Sequence, residues 1–177
     1  MLRGIRIGVL VAVVAVLVVP PSGSARTRSS VSPVGRLGSA LVVQLNAFRA
    51  AHGLARLRVS RSLSAAAGEH STQMARLGYF SHDSANGGSF SSRIATYYPA
   101  RGYRSWTVGE NLLWASPDVG AARALKLWLA SPPHRANLLD PRWREVGLVA
   151  VHTARAPGVY ANSPTTIVTA DFGARTR

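Results

Sequence analysis

Leu37, Leu41, Leu45, Phe48 and His52 recur at spacings of four, four, three and four along the chain, the repeat of a single helical face. Gly53 follows as a C-cap. A second helix is predicted over 61–77. Leu63, Ala67, His70, Met74 and Leu77 share its apolar face, Ser60 is its N-cap and Gly78 ends it. Residues 79–106 lose any long period. They are rich in Gly, Ser and Asn and read as a functional loop around one short helix near Phe90–Tyr97. A strand is predicted over 106–114, then a third helix over 117–130 with Ala121, Leu125 and Trp128 on one side. "SPPHRANLLDPRW" is a short helical turn between prolines. Strands at 144–153 and 165–173 close the pattern. Helices first and mostly strands afterwards predict an α+β layered sandwich with an antiparallel sheet.

One strand breaks its own pattern. Alternate residues of a strand share a face, so Glu110 points the same way as Trp106, Val108, Leu112 and Trp114. A carboxylate there is desolvated and must be paired, protonated or bound. Two readings stand. Glu110 is a structural ion pair with an arginine, or it is a ligand or general base in a pocket roofed by the preceding loop. His82, in "YFSHDS", and His134, in "SPPHRANLL", are the other candidates. Ser131 can cap the turn that carries His134, with Pro132 and Pro133 in its first positions. His134 then lies near a helix N-terminus, whose dipole favours the neutral imidazole. His70 reads as a satisfied core histidine. Asn137 and Asp140 read as turn and cap residues.

The N-terminus changes the setting. Arg3 and Arg6 precede an apolar run from Gly8 to Val19, which Pro20 and Pro21 break before small residues lead to Ala25. This is the layout of a signal peptide over 1–25, too short for a comfortable membrane span of about 20 residues. Residues 26–36 are expected to form a flexible leader. No permanent span is expected after cleavage, and the expected destination is secreted or envelope-associated. The chain holds no cysteine, so thiol catalysis and disulfide support are both excluded.

Charge adds one constraint. Twenty-one Lys and Arg face seven Asp and Glu, for a formal net charge of +14. Such a chain is drawn to anionic surfaces. The basic residues form no consecutive block and no alternation with aromatics, so no dedicated nucleic-acid site is expected. There is no phosphate-binding glycine loop, no His-Glu-x-x-His and no nucleophile elbow.

Five stretches in order, "LNAFRAAHGLARL", "HSTQMARLGYFSH", "GENLLWAS", "WLASPPHRANLLDPRWREVGLV" and "TADFG", resemble the CAP superfamily, also called the SCP domain, in its bacterial exported branch. The resemblance covers 37–173 and leaves 174–177 as a tail. It implies a three-layer α–β–α sandwich with a central antiparallel sheet and a surface cavity. In that cavity His82, Glu110 and His134 match the family's two histidines and one acid. The family's second acid is expected three residues after Trp128, where Ser131 stands instead. Asn111 would brace the loop from the other side of the strand. The resemblance implies a binding module for a metal or a lipid, peptide or anionic envelope ligand, with zinc as the candidate cofactor on His82 and His134. The alternative is a metal-assisted hydrolase with Glu110 as general base.

Overall fold

The computed structural model describes residues 30–177. The expected signal peptide lies outside the described residues. Within the expected leader, Val31–Pro33 instead form a strand, β1, and Gly35 already begins a helix. Sequence pattern misses β1 because a three-residue strand ending in proline is stable only through its partner, to which it pairs at Val31–Thr153.

The elements then run α1 (Gly35–Ala51), β2 (Arg58–Val59), α2 (Arg61–Leu77), α3 (Phe90–Tyr97), β3 (Ser105–Ala115), α4 (Ala121–Ala130), α5 (Pro132–Leu138), β4 (Glu145–Ala156) and β5 (Ser163–Thr176). The caps of α2 act as expected: Ser60 accepts from the Leu63 amide, and Gly78 closes the helix at φ 74°. The third long helix starts four residues later than its pattern suggests. Gly120 supplies the N-cap and accepts from the Ala124 amide, so Pro117 lies in the preceding loop.

The sheet order is β1-β4-β5-β3, with β2 running parallel to the start of β4 and the other pairs antiparallel. Alternation along the strands places apolar side chains on both faces of the sheet, in three clusters. Val146, Leu148 and Ala150 of β4, with Val168, Ala170 and Phe172 of β5, pack beneath α1, α4 and α5. Val151 and Ile167 face α2 with Met74 and Leu112. Leu63, Ile94 and Tyr98 join α2 to α3 over Trp106 and Val108. The chain is therefore a three-layer α–β–α sandwich of the α+β class. Among the described residues, no helix is long and apolar enough to cross a membrane.

Arg49 is completely buried in this frame. It donates to the carbonyls of Ala55, Leu138 and Asp140. A cation at the C-terminal carbonyls of α5 is favourable, and it fixes the short helix that carries His134.

Candidate functional site

Glu110, Asp171 and Gly147 stand side by side on β3, β5 and β4. All three point towards α2. Glu110 is buried, and both of its oxygens are occupied. Oε1 lies 2.7 Å from His82 Nδ1. Oε2 accepts from Arg93 Nη2 of α3. The Arg93 side chain is only 4% exposed, and its other terminal nitrogen holds the His82 carbonyl and the Ser84 hydroxyl. The ion pair expected of Glu110 is formed with Arg93, and the same residue lines a cleft.

His82 sits at the surface with half of its side chain exposed (51%). The Glu110 carboxylate accepts from Nδ1, so the other ring nitrogen faces away from it. That hydrogen bond, and the Glu110 charge, raise the His82 pKa against the opposing effect of partial burial. His134 shows the reverse: burial first, and the nearby His82 second, lower its pKa. The direction is the one expected for His134, with desolvation by burial as its larger cause. His70 is completely buried, and its Nε2 meets the Ser81 carbonyl at 2.8 Å. Burial lowers its pKa. It is the satisfied core histidine its helix face suggested, and it pins the backbone next to His82.

The residues around Glu110 explain the Gly-Glu-Asn run. A Cβ on Gly109 would sit 2.9 Å from Asn137 Oδ1 and 2.8 Å from Trp143, so glycine lets α5 close on the strand. Asn111, on the opposite side of β3, donates to the His134 carbonyl and accepts from Asn137 Nδ2. Asn137 also donates to the Glu110 carbonyl. The bracing role of Asn111 is therefore directed at α5. Asn137 is more than a turn residue: it ties the two halves of the site together.

These contacts frame a cleft of about 320 Å³ lined by His82, Phe90, Glu110, Pro133, His134 and Asn137, with Gly109 and Asn111 at its floor. Ser131 is not among the lining residues. Its side chain makes no capping bond; its carbonyl accepts from the Arg135 amide, and Pro132 and Pro133 occupy the first helical turn. A larger groove of about 490 Å³ follows the outer side of α2 from Gly68 to Leu77. It has a single helix as its wall and brings no pair of imidazoles together, so the smaller cleft is the candidate site.

The donor set does not fit a resident zinc ion. Protein zinc sites take three or four protein ligands. Here His82 and His134 are the free imidazoles, and Glu110 is held by His82 and Arg93. Among the described residues, no group of three or more His, Cys, Asp or Glu side chains could hold a metal ion.

Asp171 was not singled out by the sequence reading, although an acid beside Ala170 and Phe172 raises the same question as Glu110. It is fully buried, and ionised it would have no partner for either oxygen. Burial, then the Glu110 charge, push its pKa well above the usual carboxylate range. Protonated, its hydroxyl can donate to Glu110. An unfolded Asp titrates near 3.9, so Asp171 stabilises the fold fully below about pH 4 and loses that contribution as pH rises towards its raised value. Asp171→Asn, a neutral isostere, is expected to gain stability relative to the parent as pH rises above about 4, by up to about 1.4 kcal/mol per pH unit within the titration window. Urea midpoints that run parallel across this range would count against a protonated Asp171.

A sequence model described as the Cysteine-rich secretory protein family, CAP, matches residues 43–172. The uncharacterized protein YkwD of Bacillus subtilis (strain 168) is 30% identical over 122 residues, which is 69% of this chain and 45% of that protein. The chain therefore spans less than half the length of this relative. An extracellular SCP-domain protein from Bacillus anthracis str. Ames superposes with a TM-score of 0.60 at 26% identity, over 81% of this chain and 41% of the other. An outer surface protein from Borrelia burgdorferi shares the fold at a TM-score of 0.65 and 19% identity, over 84% of this chain and 99% of the other. With a match across most of its length, a three-layer fold and the ordered motifs around His82, Glu110 and His134, this chain belongs to the CAP, or cysteine-rich secretory protein, family.

Proposed function

We propose that this CAP domain is an exported binding module whose cleft takes an acidic group, a carboxylate or phosphate, of an envelope ligand. The observation that carries this reading is the pairing of Glu110 with two basic side chains. With Arg93 on one oxygen and His82 on the other, the carboxylate is committed to holding these two side chains. The cleft presents a histidine held by a carboxylate, a neutral second histidine and an amide-braced floor. Its size is at the small end of ligand pockets, about 300–1,000 Å³, and suits one head group rather than a whole lipid. The apolar run after Arg3 and Arg6, and the extracellular and outer-surface descriptions of the two structural relatives, support export.

Calorimetry with glycerol phosphate and with N-acetylalanine is the test. Binding of either probe should weaken by about tenfold or more in His82→Ala, the loss of one charge-assisted contact of about 1.5–3 kcal/mol, and should also fall in His134→Ala. No binding of either probe, or zinc bound at micromolar affinity and lost in both variants, would sink this reading in favour of another ligand or a metal.

A further inference from the structure

The arginines that form no block in sequence are brought together by the sheet. Arg58 lies on β2 beside the start of β4, and its amide donates to the Arg144 carbonyl. The Arg144 amide donates to Gly173 of β5, and the Arg104 amide, leading into β3, donates to Thr176 of β5. Arg175 lies at the end of the same strand, Arg177 follows it, and Arg142 precedes β4. Six guanidinium groups thus belong to one end of four adjacent strands, across three inter-strand spacings of about 4.8 Å, roughly 14 Å in all. Two acids lie at this end and both are engaged. Glu145 accepts from the Tyr98 hydroxyl and stands 3.6 Å from Arg58; Asp140 is bound by Arg142.

Three of these six cations are held in place by the protein, Arg142 by Asp140. Arg175 stacks on Tyr98 and Tyr103, 3.6 and 4.4 Å from their ring centres. Arg144 donates to the carbonyls of Pro141, Arg142 and Trp143. Groups fixed beforehand lose less entropy on binding. Arg104 and Arg177 are exposed, and the Arg58 side chain is 78% exposed. The strand ends show one large exposed apolar side chain, Val59, whereas a membrane-surface face carries several Trp, Phe or Leu. β1 pairs near Thr153, at the far end of β4, so the chain preceding it joins the domain away from this pole.

We propose that this arginine pole docks a phosphate-bearing anionic polymer, a second contact separate from the cleft. Guanidinium forks suit phosphate oxygens bidentately, and a row of them suits a repeating anion. The probe is inorganic polyphosphate titrated against the full chain between 50 and 200 mM salt. The triple variant Arg58→Gln, Arg104→Gln, Arg177→Gln should lose about tenfold or more in affinity, and its log–log salt slope should shrink by about two, at roughly 0.7 per lost phosphate contact. Arg76→Gln, Arg123→Gln, Arg155→Gln removes the same charge from exposed positions elsewhere and should lose less than about threefold. Equal losses in both triples would overturn the proposal, because net charge alone would then bind. No binding by the parent, or binding only to vesicles of anionic phospholipid, would overturn it too. His82→Ala should leave polyphosphate affinity unchanged, so failure of the cleft reading and failure of this one are separate results.

Discussion

Arg93→Ala is expected to cost about 3–5 kcal/mol of stability, the penalty for removing one partner of a buried ion pair. Glu110 has no exposed side-chain surface and would lose its only guanidinium partner among the described residues, leaving it beside His82, the buried His70 and the buried Asp171. The same change frees the His82 carbonyl and the Ser84 hydroxyl, both held by Arg93 Nη1, so the loop that carries His82 loosens as well. Urea unfolding measures the loss, and calorimetry with the cleft probe should show weaker binding although neither histidine is touched. Arg93→Met with Glu110→Leu should recover much of the loss, since apolar replacement of a buried pair is often neutral or stabilising, while leaving His82 without its orienting carboxylate. Stability within about 1 kcal/mol of the parent for Arg93→Ala alone would show that Glu110 does not depend on this pair.

That prediction turns on a residue that sequence reasoning had no means of choosing. The question at Glu110 was legible, because an acid on an apolar strand face must find a partner. The choice of Arg93 among so many arginines was not: it lies on a short helix next to Ile94, and only the packing of α3 on β3 aims it at Glu110. Asp171 was legible in principle by the same alternation argument, since Ile167, Thr169 and Asp171 share the face that meets α2. The convergence of His82 and His134 followed from the family resemblance; spacing alone cannot bring together residues fifty positions apart. Helix boundaries with a glycine or a capping serine, such as Ser60 and Gly78, read correctly because the cap chemistry is local. β1 and the start of α4 did not, because a partner strand decides the first and Gly120 outweighs Pro117 at the second. The arginine pole is the extreme case. Arg58, Arg104, Arg144 and Arg175 are far apart in sequence, and strand register alone makes them neighbours.

Gly147→Ala is expected to be severely destabilising. A Cβ there would lie 2.0 Å from the Leu63 carbonyl carbon and 2.1 Å from the Ser64 nitrogen. Both are backbone atoms of α2, so no rotamer change can relieve the contact and the whole helix must shift. The cost should exceed the about 1–3 kcal/mol of ordinary overpacking. The position ties fold to site. Gly147 is the register partner of Asp171, which is the partner of Glu110, and α2 also carries His70, which holds the backbone before His82. Lifting α2 admits water to Asp171, which removes the burial that raises its pKa. Gly147→Ala should therefore lower the urea midpoint sharply and flatten the part of the pH dependence that Asp171→Asn isolates. A variant as stable as the parent would mean that α2 does not lie this close to β4, and a destabilised variant with an unaltered pH dependence would mean that Asp171 is not shielded by α2.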